Sequence, residues 1–217
     1  MTISHHLDDA TLMSFAAGTL PAALAVVAAS HIAACPLCRT ALVHAERIGA
    51  ALMDDLPPAT ITGASPPMPD GSRRAVPPHA PAAGPPQPAN SVPPPLARLI
   101  GNGLDAIRWR PLAIGVWHHR IALDRGGAGD LRLLKLAPGR GVPEHGHNGM
   151  ELTLVLRGSY HDAIGTFCAG DVADLDDAVE HQPISDAAQG CVCVVASEKP
   201  ARFRGWLPRI LAPFHGL

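Results

Sequence analysis

The stretch Gly139–Gly158, GRGVPEHGHNGMELTLVLRG, decides how the second half of the chain is built. It closes on Glu151–Leu156, a short apolar run rich in branched side chains, and glycines at 139, 141 and 158 punctuate it. Runs of the same kind lie on either side, at Leu131–Ala137 and Cys191–Ala196, with further breaks at Gly165 and Gly170. Short strands with glycine turns over some 120 residues predict a β-sandwich or jelly roll. Within the stretch, His145 and His147 are two apart, so on a strand their side chains share a face, and Glu151 follows across a turn. Two neutral imidazoles and one carboxylate suit zinc, iron, manganese or nickel.

Upstream the composition changes twice. Fourteen of the 23 prolines fall between Pro57 and Pro95. Proline has no amide donor and a fixed φ, so 57–95 sustains neither a helix nor a ladder and reads as an extended linker between two folded units. Before it the pattern is helical. Asp8 is placed to cap a helix carrying Leu12, Phe15 and Ala16, which Gly18 ends. Pro21 suits the first position of a second helix running to Ala34. A third, from Pro36, sets Leu37, Ala41, Ala45, Ile48 and Leu52 on one face, at steps of four, four, three and four. Three short helices make a thin core, and a unit of roughly 55 residues needs a metal or a partner to stand.

A donor set for such a metal is present. His31 and Cys35 are one helical turn apart on the same face, and Cys38 completes a CxxC pair that brings two thiolates to one tetrahedral ion. His6 is a fourth ligand of a closed Cys2His2 zinc site, with His5 competing beside it. A CxxC is also a redox motif, but that reading requires a βαβ context, which is missing.

The bulk numbers exclude other classes. With a formal net charge of -2 and pI about 6.6, the chain lacks the basic surface that direct nucleic-acid binding needs. The apolar run Leu20–Ala34 is too short to span a bilayer, and Met1–Ala10 has no basic residue of the kind that opens a signal peptide, so a cytoplasmic protein without membrane contact is expected. Five cysteines fit ligand or free-thiol roles better than a disulfide framework. Cys168, Cys191 and Cys193 read as packing residues, and His118-His119 as part of a solvated strand face.

Two resemblances follow from these motifs. His6 with His31-x3-Cys35-x2-Cys38 in a short helical unit resembles the zinc-binding anti-sigma domain. The 139–158 stretch resembles the first conserved motif of cupins, which are jelly-roll β-barrels. In a degenerate second motif Gly170-Asp171 and His181 fit while Asp176 and Ala178 replace the usual proline and glycine. By that resemblance His181 is the fourth ligand beside His145, His147 and Glu151, for Zn2+ or another divalent metal. Both units in this order resemble the ChrR family of anti-sigma factors, and the strings Met150–Leu156, Ile107–Arg110 and Arg202–Pro208 strengthen the likeness. It implies a zinc-bound helical domain over 1–56, a proline-rich linker over 57–95 and a cupin domain over 96–217. It also implies no catalytic residues, a group IV (extracytoplasmic-function) sigma factor as partner, and release on an oxidative signal such as singlet oxygen. The family places a further amphipathic helix after the third, where this chain has Pro57, Pro58, Pro66, Pro67 and Pro69. A cupin metalloenzyme, dioxygenase-like, with an appended zinc module is the alternative; polar groups converging beside an open coordination position would favour it.

Overall fold

A computed structural model describes residues 2–59, 92–101, 103–123 and 127–203. The linker expected over 57–95 falls mostly outside these residues, as does the greater part of the Arg202–Pro208 string.

Helix α1 (Asp9–Ala16) is capped as its sequence dictates: Asp8 Oδ1 accepts from the Thr11 backbone N–H at 2.8 Å. Helix α2 (Ala22–Ala34) begins one residue later than expected, with Pro21 as its N-cap residue and not its first helical residue. Cys35, in extended conformation, ends α2 and caps α3 (Pro36–Asp54), its Sγ accepting from the Cys38 N–H at 3.5 Å. The two helices meet at a bend of 117°. Among the described residues no single helix is long and apolar enough to cross a membrane.

The face of α3 expected to be core is not. Only Ala45 of that set is buried, whereas Leu37 is 64 % exposed, Ile48 51 % and Leu52 64 %. For Ile48 and Leu52 the reason is reach: α1 and α2 lie against the first half of α3, and every residue from 46 to 59 is exposed. A fourth helix, α4 (Pro94–Ile100), was not expected in a proline-rich stretch. Pro94 and Pro95 occupy its first turn, where a missing N–H is no loss. Its Leu96 is fully buried, and the helix lies against α2.

Eleven strands follow among the described residues: β1 (Arg110–Ala113), β2 (Val116–Arg120), β3 (Asp130–Leu136), β4 (His145–Gly146), β5 (Glu151–His161), β6 (Thr166–Cys168), β7 (Val172–Leu175), β8 (Glu180–His181), β9 (Ile184–Ser185), β10 (Cys191–Ser197) and β11 (Arg202–Phe203). The main sheet runs β1-β2-β3-β10-β5, and β5 is long enough to pair β7 along its first half and β6 and β9 along its second. A smaller sheet, β11-β4-β8, closes over one side, and all pairings are antiparallel. Against β10 the register of β5 slips at Leu156, two residues before Gly158. Gly158 has φ +73°, and a Cβ there would strike the Gly190 carbonyl, so the motif glycine is required by close backbone approach.

Both faces of the central strands are covered. Leu131 and Leu133 of β3, Leu152 and Leu154 of β5 and Val194 of β10 form one core with Leu24, Val27 and Ala28 of α2. Their alternates Leu136, Val155, Cys191 and Cys193 turn to the barrel interior. The helices therefore share a core with the barrel. Each fully buried leucine or valine in it contributes roughly 1.5–3 kcal/mol of transfer free energy. Backbone bonds add to the joint, as the Ala23 N–H, in the first turn of α2, donates to the Ala128 carbonyl at 3.1 Å.

Candidate metal centres

The helical cluster gathers His6 from the segment before α1, His31 from the last turn of α2, Cys35 from the α2–α3 corner and Cys38 from the first turn of α3. One donor atom from each lies within 4.8 Å of all the others. Cys35 Sγ is 3.3 Å from His6 Nδ1, and His31 Nε2 is 3.2 Å from Cys38 Sγ. A tetrahedral ion with bonds of about 2.0–2.3 Å has ligand–ligand edges of roughly this length. His31 is fully buried, and its Nδ1–H donates to the Gly170 carbonyl at 3.0 Å, which leaves the Nε2 lone pair for the cluster. Burial pushes the His31 pKa down to about 4, so the ring is neutral at pH 7. Burial also pushes the Cys38 thiol up to about 11, so only a cation at the centre would hold it as thiolate. Of the adjacent histidines it is His6 that joins the cluster. His5 turns away, packing its ring at a tilt against Phe167, 4.2 Å between centroids, and reaching Asp171 at 3.4 Å.

The barrel cluster joins His145 on β4, His147 just after it, Glu151 at the start of β5 and His181 on β8, all buried and again with donor atoms within 4.8 Å. The antiparallel register sets His145 directly opposite His181. His145 Nδ1–H donates to the Pro143 carbonyl at 2.9 Å and His181 Nδ1–H to Asp162 at 2.9 Å. These outer partners fix both tautomers, so the bare Nε2 atoms of the two rings face each other 3.2 Å apart. Two lone pairs so placed repel unless a cation lies between them. His147 Nε2 is buried without a hydrogen-bond partner among the described residues, and its Nδ1 lies 3.4 Å from Glu151. Burial alone would raise the Glu151 pKa, but the hydrogen bond and charge of His147, with His145 and His181 beyond, hold it below the usual range. Both donor sets thus fit a small divalent cation.

The barrel cluster opens on a cavity of about 490 Å³ lined also by Arg132, Tyr160, Cys191 and Cys193. The Tyr160 hydroxyl is buried there without a partner among the described residues. Cys191 and Cys193, read from sequence as packing residues, are buried and face this space side by side; Cys168 is half-buried at the end of β6. His118 and His119 are half-buried on β2, away from both clusters. The sequence reading missed Asp162 and Tyr160, and it named Asp171 only as part of the second cupin motif. Asp162 carried a weak signal, an aspartate three residues before a turn glycine, and its carboxylate accepts from the Ile164 and Gly165 N–H groups.

Asp162 and Asp171 make the metal-free chain acid-sensitive. Burial alone would raise both pKa values. The bond from His181, with the N–H groups of Ile164 and Gly165, holds Asp162 low, and the N–H groups of Cys168, Ser4 and His5 do the same for Asp171. A carboxylate held low in the folded state contributes stability above its unfolded pKa, about 3.9, and loses it as pH falls through the lower folded value. Urea midpoints of metal-free protein are therefore expected to drop below about pH 4, and less steeply in Asp171→Asn. Parallel curves would show that Asp171 does not contribute.

Residues 100–200 match the model of the ChrR cupin-like domain. Over its whole length the chain is similar to the anti-sigma-E factor ChrR of Cereibacter sphaeroides strain ATCC 17023: 38% identical over 217 residues, 99% of each chain. It is likewise similar to the crystal structure of Rhodobacter sphaeroides SigE in complex with the anti-sigma ChrR. That match has 35% identity and a TM-score of 0.71 and covers 90% of this chain and 100% of the other. Paired with a helical His/Cys cluster and a barrel His/Glu cluster, this likeness sets aside the metalloenzyme alternative: the chain belongs to the ChrR family of anti-sigma factors, which are regulatory binding proteins.

Proposed function

We propose that this chain sequesters a group IV (extracytoplasmic-function) sigma factor in the cytoplasm through the uncovered face of α3, and releases it on an oxidative signal received in the barrel. In this reading His6, His31, Cys35 and Cys38 hold a structural Zn2+. His145, His147, Glu151 and His181 hold Zn2+ or another divalent ion. Residues 1–56 form the partner-binding unit, 57–95 the connection and 96–217 the sensing unit.

The observation that carries it is the second half of α3 with the turn that follows it. Ile48, Leu52, Met53 and Leu56 are each more than half exposed with no cover from the described residues. Apolar side chains one turn apart on a helix, at 48 and 52, are the anchors of helix-in-groove recognition. The unit carries Arg39 and Arg47 against Asp8, Asp9, Glu46, Asp54 and Asp55, a charge of -3 that favours a basic partner surface. Ile48→Asp with Leu52→Asp is expected to weaken sigma binding by at least 100-fold, or about 3 kcal/mol, because both anchors would bury a carboxylate. The fold should be unaffected, since both side chains are more than half exposed. Isothermal titration with the sigma factor checks this, and full affinity in a folded double variant would sink the α3 reading.

The four-ligand helical cluster is closed, whereas the barrel cluster faces a cavity large enough for a small molecule or the oxidant itself. Release requires that the signal act differently on the bound and free states. Because the helices share a core with the barrel, a change in the barrel has a packed route to them. Glu151→Ala with His147→Ala is expected to leave inhibition intact and to abolish induction, measured as target-gene expression before and after oxidative challenge. Normal induction would remove the barrel from the sensing role.

A further inference from the structure

The donor sets above account for the ligands but not for what holds them. His31 has its outer partner on the barrel: the Gly170 carbonyl, in the turn between β6 and β7. Gly170 has φ +96°, which a glycine adopts without strain and which presents its carbonyl to α2. The turn is rigid. Asp171 N–H donates to the Cys168 carbonyl at 2.9 Å, Gly170 N–H to Val155 at 2.8 Å and Ala169 N–H to Gly158 at 3.1 Å, so β5 holds it from behind.

The next residue acts on the other histidine. The Asp171 carboxylate, 1 % exposed, accepts from the Ser4 N–H at 2.7 Å, the His5 N–H at 3.0 Å and the Cys168 N–H at 2.8 Å. The Ser4 hydroxyl adds bonds of 3.2 and 3.3 Å. Val172 N–H then donates to the His5 carbonyl at 3.4 Å, and the Asp8 N–H to Asp174 at 3.1 Å. The segment carrying His6 is thus laid along β7 and clamped one residue before the ligand. His6 and His31 come from separate segments, and the same four-residue turn fixes the backbone of one and the ring of the other.

We propose that the Cys168–Asp171 turn of the barrel is the outer shell of the helical metal centre, with Asp171 a positioning residue for His6 and His31. The helical centre is then not a self-contained unit: its grip on metal depends on the barrel. Outer-shell partners of this kind set ring orientation and ligand basicity, and their loss costs roughly 10–100-fold in metal affinity. The inference rests on the reading of His6, His31, Cys35 and Cys38 as metal ligands.

Cobalt(II) separates the two centres, because thiolate-to-cobalt charge transfer arises only where cysteine is a ligand, and the barrel cluster has none. The full-length chain, stripped of metal, is titrated with cobalt(II) against a chelator while the charge-transfer band is followed. Asp171→Ala is expected to weaken cobalt binding in that band by roughly 10–100-fold. Asp171→Asn, which keeps an oxygen for Ser4 and His5, should lose less. Cobalt uptake by the barrel cluster, followed by its d–d absorption, stays within about twofold of the parent chain, whereas a merely destabilised fold would lower both. If Asp171→Ala does not fold, Ser4→Pro decides: it deletes both Ser4 donors to Asp171, the backbone N–H and the hydroxyl, without altering the barrel, and a several-fold weakening is expected. Unchanged affinity in the charge-transfer band, in folded Asp171→Ala or in Ser4→Pro, overturns the proposal. Absence of the band in the unsubstituted chain overturns instead the metal reading on which it rests.

Discussion

Replacing Cys35 and Cys38 together by serine is expected to empty the helical centre, loosen α3 and reduce sigma binding by more than about 100-fold. Structural zinc contributes some 10–16 kcal/mol of apparent binding free energy in small finger domains, where folding and metal uptake are roughly one event. Here the loss should be uneven. Helix α2 is anchored in the core it shares with the barrel through Leu24, Val27 and Ala28. In α3 only Cys38 and Ala45 are buried, so few apolar contacts hold it once the ion is gone. Metal analysis should show one equivalent lost, and hydrogen exchange should show α3 amides released while β3, β5 and β10 stay protected. Undiminished protection of α3 in the double variant would refute a structural role for the ion.

The second large effect comes from the joint core. Leu24 is fully buried between α2 and the outer face of the barrel, and Leu24→Ala should cost about 2–5 kcal/mol. The informative part is which signals move. If the helices and barrel form one cooperative unit, the helical dichroism and the fluorescence of Trp109 and Trp117 in the barrel shift to lower urea together. A shift confined to the helical signal would mean that the shared core does not couple the two parts.

Much of this architecture was legible in the residues. The cap at Asp8, the corner at Cys35, and strands β3, β5 and β10 follow from local chemistry and periodicity, and the eight candidate ligands fall into two clusters, one in each half of the chain. What stayed hidden depends on contacts distant in sequence. The outward face of α3 reads as core because a helix that meets a partner has the same amphipathic pattern as one that meets its own barrel. Helix α4 was masked by prolines that are harmless in a first turn but look like breakers in a composition count. Asp171 was read only as part of the second cupin motif, and nothing in that motif points to a role toward His6 and His31. Its partners Ser4 and His5 lie 167 and 166 residues away, and only the folded chain brings them together.

Helix α4 has one more consequence. Within the proline-rich stretch the described residues stop at Ala59 and resume at Val92; from there the chain returns at once to α2, burying Leu96 against it. The two pieces on either side are thus complementary surfaces as well as consecutive lengths of polypeptide. Expressed as separate chains ending near residue 60 and starting near residue 91, they should find each other and reassemble, with the peptide link supplying effective concentration and little else. A fusion inserted between them would then report on the partner-bound and free states without disturbing either metal centre.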